Sequence, residues 1–395
     1  MMTPLVVSHH TVTTTLGAGC NANWQALRQE KTGLAPCQFY DTQDLNTYVG
    51  QIPELDDIPI TQSLSEYDCR NNRLALYGLE QDGFLEAAQS LVKKYGADRV
   101  AVYIGTSTSG IFQTELAYFA SDNYQNLPDW YHYQTTQDIY SAADFVRLCV
   151  GAQGPSAAIS TACSSSAKVF ANAQRAITSG LCDAAIVGGV DTLCLTTLYG
   201  FHSLQLLSDD ICRPTDANRS GISIGEAAGF ALLEKTDAAD GPILLSYGES
   251  SDAYHMSSPH PDGKGAYHAM QEALQHANKA PSDIDYINLH GTGTKANDLA
   301  ESKAVDSIFT GKPPCSSTKG WTGHTLGAAG IVEAVFSLFS ISENTAFANL
   351  NTQHIDPAIN INVITQTQNI KIQRALSNSF GFGGSNCSLL FASTL

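Results

Sequence analysis

The 395-residue chain is 43% hydrophobic and only 15% charged, which argues against a disordered protein and gives length for two or three domains or one large two-part fold. Its 21 basic and 38 acidic side chains leave a net charge of −17, a balance that repels nucleic acid and anionic bilayers. An acidic protein partner would need a local cluster of basic residues.

The start, Met1 to Gly17, has no basic segment followed by an apolar one, so no secretory signal is expected there. The longest uncharged stretch, Leu148 to Ala167, is broken by Gly, Pro and Ser and fails as a membrane span. Ten cysteines are scattered without framework spacing, which predicts reduced thiols in the cytoplasm. Along the chain, apolar runs predict strands at Val100–Ile104, Ala157–Ser160, Ala184–Val187, Gly229–Leu233, Ile284–Leu289 and Ser388–Phe391. Helical spacing predicts helices over Arg73–Lys94, Ser164–Thr178, Gly265–Asn278, Asp298–Phe309 and Leu326–Ser340. The alternation indicates an α/β fold. The best boundary lies near Ala238–Gly241, dividing the chain into halves of residues 1–240 and 241–395. Each half carries a strand, a turn and a helix with a reactive residue at the turn, which hints at an internal duplication.

Cys163 sits between an apolar run and an alanine-rich helical pattern. A helix N-terminus favours thiolate, and thiolate is the nucleophile. The same position offers a free backbone N–H. Most free cysteines are small buried hydrophobes, and this segment alone leaves both readings open. His290 ends a strand pattern and opens into Gly-Thr-Gly-Thr, small residues that let a ligand approach the backbone. Gly291-x-Gly293-x-x-Ala296 also matches a dinucleotide fingerprint, but the acid expected about 20 residues on is missing. His324 precedes an apolar helical segment that contains Glu333, and a helix N-terminus holds imidazole neutral. Lys319, five residues earlier, suits a carboxylate such as Glu333, although a lone His near a Lys is often structural. The glycine-rich turn Ser377–Asn386 lets N–H groups converge, as in an oxyanion hole, and equally suits a tight hairpin. No short-range metal-ligand spacing and no nucleoside-triphosphate loop is present.

Taken together and in order, these segments resemble the β-ketoacyl–acyl carrier protein synthases of the thiolase superfamily over nearly the whole chain. The resemblance rests on Ser160-Thr-Ala-Cys163-Ser-Ser, Asp183-Ala-Ala-Ile-Val-Gly-Gly, Asp252-Ala-Tyr-His-Met-Ser-Ser-Pro259 and His290-Gly-Thr-Gly-Thr294. It continues in Ser317-Thr-Lys319-Gly-Trp-Thr-Gly-His324-Thr-Leu-Gly-Ala-Ala-Gly and Asn378-Ser-Phe-Gly-Phe-Gly-Gly-Ser-Asn386. It implies a five-layer αβαβα fold of two similar halves and a dimer, of two identical chains or with a related chain-length-factor subunit. It implies a Cys163-His290-His324 triad supported by Lys319 and Glu333, and an oxyanion hole from the N–H groups of Cys163 and Phe382. Phe380 and Phe382 match a gate, and Ser257, Thr292 and Thr294 match positions that hold a phosphopantetheine arm.

The implied reaction condenses an acyl group on Cys163 with a malonyl thioester on acyl carrier protein, with loss of CO₂, in fatty-acid or polyene/polyketide elongation. No metal or redox cofactor is implied, because the substrates ride on the carrier's phosphopantetheine. The chain departs from the family at its N-terminus, at Gln205 where others are basic, and at Thr106-Ser-Thr-Ser-Gly110. Thr108 and Phe201 are expected to line the acyl pocket. Arg70 and Arg73 are expected to supply a carrier-docking patch, although solvated helix charges are the commoner reading. A non-catalytic chain-length subunit, which usually lacks the nucleophile, and a coenzyme A thiolase, which uses a second cysteine near the C-terminus where Cys387 lies, are the alternatives.

Overall fold

The segment Val100–Gly105 is buried at every position, and its side chains serve two different cores. Val100, Val102 and Ile104 pack in one cluster, while Ala101 and Tyr103 pack in another. A strand alternates faces with period two, so a continuously apolar strand is one covered on both sides. Ala184, Ile186 and Ala185, Val187 divide between the same two clusters. The computed structural model describes residues 2–40, 42, 44–121, 126–235 and 241–395.

Ten strands form one sheet. Five come from the first half: Leu5–Thr14 (β1), Val100–Gly105 (β2), Ser156–Ile159 (β3), Ala184–Asp191 (β4) and Ala227–Glu234 (β5). Five come from the second: Ile243–Ser251 (β6), Tyr286–Asn288 (β7), Cys315–Ser316 (β8), Arg374–Gly381 (β9) and Ser385–Ala392 (β10). The spatial order is β8-β7-β9-β10-β6-β1-β5-β4-β2-β3. Within the first half β1 pairs β5 and β5 pairs β4 antiparallel, then β4–β2 and β2–β3 are parallel. The second half repeats this with β6–β10, β10–β9, β9–β7 and β7–β8. The halves are joined where Leu5 and Val6 pair with Leu244 and Ile243. The expected duplication is therefore present in the strand order and direction.

Helices complete five layers. Arg70–Leu79 (α1) and Phe84–Tyr95 (α2) cover the outer face of the first half. Ser165–Thr178 (α3) and Ala329–Glu343 (α6) pack on each other between the two half-sheets. Lys264–Ala277 (α4) and Lys295–Ile308 (α5) cover the outer face of the second half. The central pair approaches so closely that a Cβ on Gly330 would lie 2.3 Å from Ala167 N.

Two readings are corrected. The single helix expected over Arg73–Lys94 is two helices, because Asp82 (φ +55°) and Gly83 (φ +68°) turn the chain into the left-handed region between them. Strands β1, β6, β8 and β9 were not among those expected. In β1 the threonines Thr11, Thr13 and Thr14 are themselves buried, and β-branched threonine suits a strand without raising its hydropathy. Of the proposed half boundary, Ala238–Gly241, residues 238–240 lie outside the described residues. The one helical segment among the described residues that is long and apolar enough to cross a membrane, Leu326–Glu343, is mostly buried within the protein.

Replacing Gly330 with Ala should destabilise the protein by about 2 kcal/mol, in the range for overpacked cores. The check is chemical denaturation of the two proteins side by side. An unchanged midpoint would mean that the central helices part without cost.

Candidate active site

The first turns of the two central helices touch, with Ile331 N–H donating to Ser166 Oγ at 3.0 Å, and the reactive groups stand there. Cys163 lies between edge strand β3 and α3, and His324 lies between edge strand β8 and α6. The duplication makes these equivalent places in the two halves. Ala162 takes a left-handed conformation (φ +52°) immediately before the cysteine, a sharp turn that costs of order 1–3 kcal/mol in a non-glycine residue. The Ser165 hydroxyl braces it by donating to Ala162 O at 2.5 Å and accepting from Thr161 N at 2.9 Å.

Three side chains from distant parts of the chain converge. Cys163 Sγ lies 3.0 Å from His324 Nε2. The ligating atoms of Cys163, His290 and His324 all lie within 4.8 Å of one another, and the two imidazole rings sit edge to face at 5.4 Å. Each ring's outer nitrogen fixes its tautomer. Leu326 N–H donates to His324 Nδ1 at 3.2 Å, so that nitrogen carries no proton and Nε2–H points at the sulfur. The Lys319 ammonium, which can only donate, faces His290 Nδ1 at 3.4 Å, so His290 likewise carries its proton on Nε2. A cysteine and two histidines at this spacing resemble a zinc ligand set. A metal there would need the very Nε2 lone pairs that these contacts give to protons, so the arrangement favours donation over ligation.

Burial, followed by the charge of Lys319, holds both imidazoles well below their ordinary range, so both are neutral near pH 7. Lys319 is itself buried, donates to His290 O at 2.5 Å and pairs with Glu333. Burial raises the Glu333 carboxyl and the ammonium beside it pulls it back. Lys319 and Glu333 therefore form a buried ion pair beside the histidines. The expectation of a lowered Cys163 pKa is corrected. Burial pushes the thiol up to about 11, with Lys319 and the Phe382 N–H pulling only partly against it. Desolvation of the anion outweighs the helix terminus here.

A cleft opens above the triad, lined by Phe201, Ser257, Thr292, Thr294, Phe380 and Phe382 among others. The Thr292 and Thr294 hydroxyls lie 2.9 Å apart on its wall, and Thr294 also caps α5. Ser257 stands at the rim, its N–H donating to His255 Nδ1 at 3.2 Å. Phe382 packs on Phe201 at 5.7 Å and Phe380 on His290 at 5.9 Å. Gly381 between them is required: a Cβ there would fall 2.6 Å from Thr161 O.

Several expected residues lie elsewhere. Thr108 does not line this cleft; it is buried, with its hydroxyl donating to Asp191 at 2.8 Å. Arg70 is buried in ion pairs with Glu226 and Asp56, and Arg73 grips Asp68 with two nitrogens. Guanidinium groups already committed to carboxylates of this chain are not a free docking patch. Cys387 is buried in the central core and does not reach the cleft, which removes the second thiol that a thiolase reading needs.

Sequence reasoning missed Glu301, Asn378 and Asp191. Glu301 accepts the N–H groups of His290 and Gly291, each at 2.8 Å, and the Asn378 amide at 3.1 Å. It holds the backbone of the His290 turn, and burial raises its carboxyl to about 7. The available signal was an acidic residue on the face of a helix that also carries Ala304, Val305 and Ile308.

Residues 4–239 match the β-ketoacyl synthase N-terminal domain family, and residues 243–353 match the β-ketoacyl synthase C-terminal domain family. A Staphylococcus aureus 3-oxoacyl-[acyl-carrier-protein] synthase 2 is 30% identical over 95% of both chains. The mitochondrial 3-oxoacyl-[acyl-carrier-protein] synthase of Arabidopsis thaliana is 38% identical over 64% of this chain and 59% of its own. In the solved complex of the ketosynthase ApeO with its chain length factor ApeC from Xenorhabdus doucetiae, one chain superposes with a TM-score of 0.89 at 36% identity, covering 99% of this chain and 98% of that one.

A thiol raised to about 11 is protonated at neutral pH, and its thiolate fraction grows tenfold per pH unit below that value. Alkylation of Cys163 by iodoacetamide, followed by mass spectrometry, should therefore rise log-linearly from pH 7 through pH 10. A plateau reached below pH 8 would contradict the assigned environment.

Proposed function

The chain belongs to the β-ketoacyl synthase family, and from that premise we propose that it performs decarboxylative Claisen condensation between an acyl group carried on Cys163 and a malonyl group on acyl carrier protein. It is an acyltransferase whose product is a 3-oxoacyl thioester. The observation that carries the reading is the 3.0 Å contact between Cys163 Sγ and an imidazole that donates from Nε2, with a second such imidazole beside it.

The steps follow from the donors. In the first, the Cys163 thiolate attacks the acyl thioester, the carbonyl oxygen becomes an oxyanion, and the carrier thiolate leaves and takes up a proton. The N–H groups of Cys163 and Phe382 serve as the oxyanion donors in this reading. The Phe382 N–H already reaches the sulfur. In the second, the malonyl thioester loses CO₂; the electrons of the broken C–C bond pass to the thioester oxygen. The Nε2–H groups of His290 and His324 stabilise that enolate without adding positive charge of their own. In the third, the enolate carbon attacks the acyl-Cys163 carbonyl, a C–C bond forms, and the C–S bond breaks to return the thiolate. Lys319 keeps both imidazoles neutral and orients His290; Glu333 balances its charge. Ser257, Thr292 and Thr294 hold the phosphopantetheine arm, Phe380 and Phe382 gate it, and Phe201 lines the acyl path. The chemistry requires no metal or redox cofactor.

Acyl carrier protein is the proposed partner in catalysis. A second ketosynthase-like subunit, identical or of the chain-length-factor kind, is the proposed structural partner. The outer edge of β3 is free of a further strand within the described residues, and its side chains are only half-buried. An open edge of that sort is a template for pairing with another chain. The ketosynthase ApeO is found in complex with its chain length factor ApeC, a precedent for the second kind of partner. The pathway proposed is fatty-acid or polyene/polyketide elongation.

Cys163→Ala should abolish the acyl mass adduct formed with an acyl carrier thioester. Cys163→Gln should stop condensation while sparing malonyl decarboxylation. His324→Ala should slow CO₂ release by about 10²–10³-fold, the usual effect of losing one oxyanion donor, and slow acylation less. If acylation alone slows, the role given to His324 is wrong.

A further inference from the structure

Asp191, the last residue of β4, is fully buried and touches none of the reacting groups. Its carboxylate nevertheless collects donors from two separate parts of the chain. From the loop after β2 it accepts the Thr106 hydroxyl at 2.7 Å, the Ser107 N–H at 2.9 Å and hydroxyl at 2.6 Å, and the Thr108 N–H at 2.9 Å and hydroxyl at 2.8 Å. From the other half it accepts the Gly327 N–H at 2.5 Å. Ser107 closes the loop by accepting the same Gly327 N–H at 3.1 Å.

Gly327 follows Leu326, and Leu326 is the residue whose N–H fixes the His324 tautomer. Leu326 has φ +53°. A leucine in the left-handed region persists only where its surroundings over-determine it. The groups that do so are Asp191 and Ser107, gripping the next N–H along. A continuous path therefore runs from the β4 carboxylate through Gly327, the strained Leu326 and His324 Nδ1 to the Nε2–H that faces Cys163.

We propose that Asp191 is a positioning residue that sets the tautomer of His324 by holding the Leu326–Gly327 turn. The inference rests on the role given above to His324 as a donor to the enolate. Without an acceptor at Gly327 N–H, the turn relaxes and Leu326 leaves the left-handed region. Its N–H then withdraws from Nδ1, and the imidazole proton is free to move from Nε2 to Nδ1. The sulfur loses its donor, and so does the developing enolate. The acylating nucleophile, at the start of the opposite helix, still keeps the Phe382 N–H and the charge of Lys319.

The test is Asp191→Asn in the full-length protein, which puts an amide nitrogen where the donors converge. Two measurements are read together: the histidine ¹⁵N resonances of His324, assigned by difference against His324→Ala, and the separate rates of acyl-adduct formation and CO₂ release. The expected result is a shift of His324 from the Nε2–H toward the Nδ1–H pattern, with CO₂ release down by about 10²-fold, the scale of a misplaced catalytic group, and adduct formation much less affected. Unchanged ¹⁵N resonances overturn the proposal. A tautomer shift that leaves CO₂ release intact upholds the positioning role and overturns the reading of His324 as enolate donor. If Asp191→Asn does not fold, Ser107→Ala removes one donor to Asp191 and one acceptor for Gly327 while leaving the rest. It should shift the same resonances in the same direction by a smaller amount, and no shift there overturns the proposal equally.

Discussion

The Lys319 ammonium, buried between Glu333, His290 O and His290 Nδ1, is the group on which the rest of the site depends. Removing a cation from water costs several kcal/mol even after relaxation, so a lone lysine would not stay there. Glu333 compensates the charge, and a carbonyl takes a further proton. What remains is a donor that cannot accept. That one property settles which nitrogen of His290 holds a proton, and the positive charge keeps both imidazoles from gaining a second one. The site therefore presents N–H donors without imidazolium charge, the condition for stabilising an enolate rather than merely protonating it.

This arrangement is reached through duplication. Each half of the sheet ends in a short edge strand followed by a central helix, and the joint between β1 and β6 brings the two helix starts face to face. One copy of that place carries Cys163 and the other His324. His290 comes from the turn after β7, whose counterpart after β2 carries Thr106 and its neighbours. The equivalent turns have thus diverged: one carries His290 beside Cys163, and the other binds Asp191, which also accepts the Gly327 N–H. Packing limits follow directly, because helices this close leave no room for a side chain at Gly330.

The triad, its lysine and glutamate, and the glycine-rich turn were legible in the sequence because each lies in a short segment whose small neighbours mark a turn beside a strand or helix. Most strands were legible for a related reason: with both faces covered, they are apolar throughout. What stayed hidden depended on pairing across the fold. Arg70 looks like an exposed helix cation until Glu226 arrives from 156 residues away, whereas the partner of Arg73, Asp68, is local and was overlooked. Thr108 looks like a pocket residue until Asp191 takes its hydroxyl. Glu301 and Asp191 read as ordinary acids because nothing local shows that backbone N–H groups will converge on them. The broken helix between α1 and α2 was a local signal, Asp82-Gly83, overridden in the reading by the apolar spacing on either side.

The raised thiol of Cys163 follows from the same cause as the neutral histidines. Desolvation disfavours whichever form is charged: thiolate for cysteine, imidazolium for histidine. A drier site gives better neutral donors and a poorer resting nucleophile, and no single dielectric serves both. Lys319 resolves part of the conflict, since its charge lowers the thiol and both imidazoles together. The Phe382 N–H adds a local contribution directed at the sulfur alone. The remaining difference falls on acylation, where the thiolate is needed only briefly before its charge moves to the oxyanion. The enolate step, which needs neutral imidazole throughout, is the step that this degree of burial favours.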